Sequence, residues 1–245
     1  MTTARVVTWN VLHRVHGENW SEPVLAGHPD EAARTRAGAA TVARWIDDGV
    51  DAALLQEASG DVVAAVREAV GAAVAVLVHV YPRVPRPRVP IADGGTPVDP
   101  GEHLVIVARG AALVESATFD DDPGKGWLAA RLPSGIVAFC THISYGARRR
   151  GQLARVASSA ARQGQALVAG DFNAPADAVL EGLGLQGARA SELEGAGFTR
   201  VATGTQPGKV IDHVVAIGGA IEGATILDGA GLSDHLPVAA TVRWG

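Results

Sequence analysis

Residues 104–142 run LVIVARGAALVESATFDDDPGKGWLAARLPSGIVAFCTH. β-Branched and apolar residues gather there into four short runs, at about 104–109, 113–119, 127–132 and 136–142, separated by Gly, Asp and Pro. The gaps are too short to hold a crossover helix, so antiparallel hairpins are expected rather than strand–helix–strand units. A sheet-based protein with much antiparallel pairing is the frame into which the rest of the chain must fit.

Working outward, residues 4–12 (ARVVTWNVL) are β-branched and aromatic enough for an opening strand, and a polar loop rich in His and Gly follows. The spacing of Val42, Trp45 and Ile46 predicts a helix over 30–48, stopped at Gly49. A short strand, 52–57, comes next. Ser59 then has the character of an N-cap for a helix whose Val62, Val63, Val66 and Val70 share a face, ending at Gly71. Residues 73–80 form a further apolar strand. Six of the thirteen prolines lie between Pro82 and Pro100, mixed with Arg83, Arg86 and Arg88, which makes that stretch a loop.

Beyond the quoted stretch, a polar helix is expected from near Arg148, a strand over 166–172, a short helix after Pro175, and strands near 210–217, 221–227 and 237–244. Two clusters of strands, each with one or two helices, imply two sheets packed face to face with helices outside. The expected fold is α+β, a four-layer α/β/β/α sandwich of two mostly antiparallel, mixed sheets. With neither a linker nor a repeat visible, residues 1–245 are expected to form a single domain.

Composition narrows the function. A net charge of −5 and only 4% aromatic residues give no overall basic field, which disfavours a long DNA duplex as partner. Cys140 is the single cysteine, so neither an intramolecular disulfide nor a cysteine zinc knuckle can form. There is no basic segment followed by an apolar stretch at the N-terminus, and no apolar run approaches the ~18 residues of a membrane span. A cytoplasmic protein without a membrane segment or an obligate protein partner is expected.

Polar residues fall at the ends of the expected strands: Asn10, Gln56-Glu57, Thr141-His142, Gly170-Asp171-Phe172-Asn173, Asp212-His213 and Ser233-Asp234-His235. Scaffolds present catalytic groups at such ends. Asn, Glu and Asp oxygens are hard ligands suited to Mg²⁺ or Mn²⁺, while His beside carboxylate suits proton transfer. With no serine elbow, Cys-His pair or glycine-rich phosphate loop, metal-assisted attack by water is the simplest chemistry.

The Trp-Asn-Val-Leu, Leu-Gln-Glu, Thr-His, Gly-Asp-Phe-Asn, Ile-Asp-His and Ser-Asp-His elements, in that order across residues 9–235, resemble the endonuclease/exonuclease/phosphatase superfamily. The resemblance implies a phosphoesterase acting on a nucleotide, short nucleic acid or small phosphorylated metabolite. It implies Glu57 as principal ligand of Mg²⁺ or Mn²⁺, with Asn10 and Asp234 beside it. Asp171 and Asn173 would position and help deprotonate the attacking water, His142 would hydrogen-bond the phosphate, and His235 would be the catalytic histidine oriented by Asp212. Either Asp171 or His235 could be the general base. Arg34 matches an arginine that recurs near this helix in deadenylase-like members, with a structural role open to it, and the chain resembles the deadenylase and nucleotide-phosphatase branch more than the abasic-site nucleases.

Two alternatives stand beside this reading. One is an inactive member of the same fold serving as a binding module; the other is a zinc-binding protein built on His13, His16 and His28. The bland reading of His13 and His16 is a pair of solvent-exposed loop histidines. Likewise, His213 follows Asp212 on a strand and is expected on the opposite face, and Arg83, Arg86 and Arg88 are expected either to hold a second phosphate or to be solvated.

Overall fold

A computed structural model describes residues 1–185, 187–190 and 210–245. The first sheet contains β1 (Thr2–Asn10), β2 (Ala52–Ser59), β3 (Val74–Val80), β4 (Glu102–Arg109), β11 (Ala220–Ile226) and β12 (Val238–Trp244), in the order β11-β12-β1-β2-β4-β3. The second contains β5 (Ala112–Phe119), β6 (Asp122–Arg131), β7 (Val137–His142), β8 (Ala166–Asp171), β9 (Arg189–Ala190) and β10 (Asp212–Ile217), in the order β5-β6-β7-β8-β10-β9. Pairing is antiparallel except for β1 with β2 and β7 with β8. Each parallel pair is bridged by a helix: α2 (Glu31–Asp47) between β1 and β2, and α4 (Arg149–Ala160) between β7 and β8.

Side-chain alternation builds four layers. Leu54, Leu104 and Ile106 of the first sheet meet Leu128, Cys140, Leu167 and Val214 of the second in one buried cluster. The intervening residues face outward: Leu55, Val105 and Val107 pack under α2 and α3 (Gly60–Val70), and Val137, Phe139 and Val168 pack under α4 and α5 (Ala176–Leu183). Each fully buried Leu, Ile or Phe contributes roughly 1.5–3 kcal/mol of transfer free energy, so a one-residue register slip, which would turn these side chains to the wrong layer, is strongly disfavoured. The two helices over the first sheet, α2 and α3, begin where short polar side chains close them. Asp30 accepts from the Ala33 amide at 3.0 Å and Ser59 from the Val62 amide at 3.2 Å.

The two-sheet sandwich follows the expectation, with two differences. β5, β6 and β7 form the expected antiparallel run, but β4 and β5 are not a hairpin. The chain leaves the first sheet at Arg109, turns at Gly110 (φ +62°) and enters the second, because β4 finds its partners in β2 and β3. The expected loop after Asn10 also contains a short helix, α1 (Arg14–Trp20). His13 caps it: its Nδ1 accepts from the Val15 amide at 3.2 Å, leaving the Nε2–H to donate to the Pro100 carbonyl at 3.2 Å.

Candidate active site

The strand directions bring the polar strand ends to one rim. β1 and β2 run parallel with Asn10 beside Gln56, and β7 and β8 run parallel with His142 beside Asp171, so all four finish at the same end. β10 is antiparallel to β8 and places Asp212 opposite Asp171; β12, antiparallel to β1, is entered from the same end through Ser233-Asp234-His235.

Local backbone features aim the side chains. In β2 the pairing with β4 slips between Leu55 and Ala58, and Glu57 within the slip has φ +56°. Such a conformation is unfavourable for a residue with a Cβ and is tolerated where surrounding structure imposes it, commonly beside functional sites. It directs the carboxylate so that Oε2 accepts from the His13 amide at 3.2 Å and Oε1 lies 3.9 Å from His142 Nε2. Gly170 just precedes Asp171, and a Cβ there would collide with the Thr141 backbone, so only glycine lets β8 run this close to β7.

Asp171 is the hub. Its Oδ2 accepts from Asn10 Nδ2 at 3.1 Å and lies 3.3 Å from His142 Nε2 and 3.9 Å from His235 Nε2, while Oδ1 accepts from the Asn173 amide at 2.9 Å. Asn173 in turn donates to the Ile143 carbonyl at 2.9 Å. His235 donates from Nδ1 to Asp212 Oδ2 at 2.8 Å, which turns Nε2 toward Asp171. Trp9 holds the His235 carbonyl at 3.0 Å, and Ser233 Oγ donates to the Asn10 carbonyl at 2.7 Å, tying this segment to β1. Asp234 lines the cleft with Glu57, His142, Asp171, Asn173 and His235.

Electrostatics follow this crowding. Burial disfavours charge on Asp171, yet His142, His235 and Lys125 outweigh it and hold the carboxyl well below the usual range. Glu57 is depressed in the same way, against burial, by His16, His142 and Lys125. Burial also opposes charge on His235, but Asp212 and Asp234 push it up to about 10, leaving it an imidazolium at neutral pH.

Single ligand atoms of Glu57, His142 and Asp171 lie within 4.8 Å of one another, as do those of Asp171, Asp212 and His235. The first group offers two carboxylates on an open cleft, a donor set that fits a hard divalent cation. Asn10 is beside it with both amide atoms engaged, Oδ1 accepting from the Leu12 amide at 3.0 Å and Nδ2 bonded to Asp171. The zinc alternative does not fit, since neither group of possible ligands among the described residues includes His13, His16 or His28 and both His13 nitrogens are occupied.

His13 and His16 are not exposed loop histidines. His13 is buried, and His16 packs against it with ring centroids 5.4 Å apart while its Nε2 bonds Glu102 Oε2 at 3.1 Å. Burial keeps His13 below the ordinary histidine value; burial also opposes charge on His16, but Glu57 and Glu102 raise it. His213 does face away from the cleft, bonding the Ala174 carbonyl at 2.9 Å beside Phe172. Arg34 is buried and structural: it pairs with Glu31 at 2.6 Å and donates to the Val11, Leu12 and Leu232 carbonyls at 2.8–2.9 Å, clamping the segments that carry Asn10 and Asp234.

Lys125 is the residue that sequence reasoning missed. Its Nζ sits 2.9 Å from His142 Nδ1 and in closer contact with Nε2. A signal existed, since Lys125 and Lys209 are the only two lysines in a chain that otherwise uses arginine.

A model of the Endonuclease/Exonuclease/phosphatase family matches residues 7–235. Among solved structures, a protein of that family from Bacteroides thetaiotaomicron superposes with a TM-score of 0.68 at 16% identity, covering 100% of this chain and 98% of that one. D. rerio TDP2 complexed with a single-strand DNA product gives 0.65 at 16%, covering 99% and 100%. The Bacteroides thetaiotaomicron mannosyl-6-phosphatase Bt3783 gives 0.68 at 16%, covering 98% and 100%. At these identities the likeness speaks for the fold. No curated protein sequence matches the chain, and no helix among the described residues is long and apolar enough to cross a membrane.

Proposed function

The chain belongs to the endonuclease/exonuclease/phosphatase family, whose members are metal-dependent hydrolases of phosphate esters, and from that premise we propose that it hydrolyses a phosphomonoester or phosphodiester by attack of water with Mg²⁺ or Mn²⁺ as cofactor. The substrate on this reading is a nucleotide, a short oligonucleotide or a small phosphorylated metabolite. The observation that carries it is the meeting of Glu57, His142 and Asp171 ligand atoms within 4.8 Å, with the His235–Asp212 pair against Asp171. Relatives of the same fold include a mannosyl-6-phosphatase and a TDP2 holding a single-strand DNA product, so the fold accommodates both a sugar-phosphate phosphatase and a bound DNA strand.

Glu57 would be the principal ligand of the cation in this proposal, with Asn10 and Asp234 beside it, directly or through water. A bound divalent ion supplies charge that offsets the negative charge growing on the phosphoryl oxygens. The chain's own groups do the rest. Asp171, fixed by Asn10 and by the amide of Asn173, orients the attacking water and takes its proton. A phosphate entering beside Lys125 and His235 offsets the positive charge that holds Asp171 so acidic, which makes the carboxylate more basic when substrate is present. His142 and Lys125 donate to phosphoryl oxygens. His235 already carries its proton at neutral pH, with Nδ1 committed to Asp212, so its Nε2–H stabilises the phosphate or the leaving oxygen.

The test is an assay on a chromogenic phosphodiester and its monoester, with Mg²⁺, with Mn²⁺ and with excess chelator. Turnover that requires one of the ions is expected. Full activity in chelator, or no turnover of any phosphate ester with either ion, would overturn the proposal.

A further inference from the structure

Beyond Glu57 and His142 the cleft, about 900 Å³ in volume, continues between α1 and the proline-rich loop of residues 82–88. His16, Asn19 and Trp20 stand three and four residues apart on one face of α1 and all line it. The opposite wall carries Arg83, Arg86 and Arg88. This arrangement is tied together. Asn19 accepts from the Arg88 amide at 2.6 Å and donates to the Arg86 carbonyl at 3.0 Å, so one side chain fixes the backbone of two arginines. Arg83 is drawn aside to Asp122 at 3.4 Å, whereas Arg88 lies 5.9 Å over the Trp20 ring. Trp20 is 65% exposed, far more than a core tryptophan. The bland account of three arginines on a solvated loop leaves unexplained why their backbone is pinned against an exposed indole inside the cleft that holds the catalytic groups.

We propose that this end of the cleft is a specificity subsite for a nucleoside bisphosphate, whose base stacks on Trp20 and whose second phosphate is held by Arg86 and Arg88. Arginine's planar fork matches phosphate oxygens and an indole offers a stacking face to any base. The size of the cleft suits a small molecule, and the net charge of −5 offers no extended basic track for a long strand. The subsite rests on the phosphoesterase reading for its catalytic consequence, but its binding does not.

Two measurements separate them. In the first, Trp fluorescence of the Asp171→Asn protein is titrated with adenosine 3′,5′-bisphosphate in chelator; quenching that saturates, and that is lost in Asp171→Asn/Trp20→Phe, is expected. In the second, the otherwise unmodified enzyme with Mg²⁺ or Mn²⁺ is compared with Arg86→Ala/Arg88→Ala on adenosine 3′,5′-bisphosphate, AMP and glycerol phosphate. The double variant should lose kcat/KM for the bisphosphate at least tenfold more than for glycerol phosphate, with AMP between. Equal losses on all three substrates, or quenching that survives loss of Trp20, would overturn the subsite while leaving hydrolysis intact. Saturable Trp20 quenching in a protein that hydrolyses no phosphate ester would instead retain the subsite and remove the hydrolase.

Discussion

At the scale of single residues, the proposed mechanism separates groups that act from groups that orient. On the proposed mechanism Asp171 and the imidazolium of His235 meet the water and the phosphate, whereas Asp212 acts by orienting His235 through its Nδ1. Positioned acid–base groups are worth about 10²–10⁴-fold, and a group acting only in the transition state lowers kcat with little change in KM. Steady-state kinetics should therefore show at least a ~10²-fold loss of kcat for Asp171→Ala and His235→Ala, and a smaller one for Asp212→Ala. Equal losses in all three would mean that Asp212 does more than orient. Cys140 gives an independent check of the packing. Burial between the sheets pushes its thiol up to about 12, so the thiolate that reacts with alkylating reagents is almost absent. Iodoacetamide should label the protein in urea and leave the native form unlabelled; rapid native labelling would contradict the intersheet layer described above.

Among the elements, Arg34 and α1 show what the sequence could and could not disclose. The helix bearing Arg34 was legible from its period and its stop at Gly49, because both signals are local. A structural role for Arg34 was open from the sequence, but its carbonyl partners were not legible, since they are 22 to 198 residues away. α1 was missed because a seven-residue helix with a histidine, an asparagine and a glycine has little intrinsic tendency to form. What holds it is the His13 cap and contacts reaching Pro100 and Glu102. Breaking a buried ion pair by removing one partner typically costs about 3–5 kcal/mol, an upper bound for Arg34–Glu31 because Arg14 also stands 3.7 Å from Glu31. Urea unfolding of Arg34→Ala should lose up to that amount, together with activity, as the Val11 and Leu232 segments come loose. A loss below about 1 kcal/mol would mean the clamp is not structural.

For the whole molecule, the layered fold and the rim of polar strand ends could be read from alternation and motif order, while the β4-to-β5 passage between sheets could not, because adjacent strands carry no mark of which sheet each joins. The same global packing sets how stability depends on pH. Burial holds His13 and His213 below the ordinary histidine value of 6.5. The unfolded chain therefore binds protons that the native state refuses once the pH falls below about 6.5, and stability drops by up to about 1.4 kcal/mol per pH unit for each such group. The groups shifted the other way do not mask this. His16 and His235 are raised, so their contribution is complete below 6.5 and is lost only as the pH climbs through their folded values. Glu57, Glu102, Asp122 and Asp171 are lowered, so theirs persists down to the normal carboxylate range near 4.5. Between about pH 6.5 and 5 the buried neutral histidines dominate. Denaturant midpoints measured in chelator, to keep metal binding out of the balance, should fall across that interval. In His213→Gln, which removes one titrating ring, the fall should be shallower whatever the variant's absolute stability. A slope identical to the parent would mean that His213 takes up its proton as readily in the folded protein as in the unfolded chain.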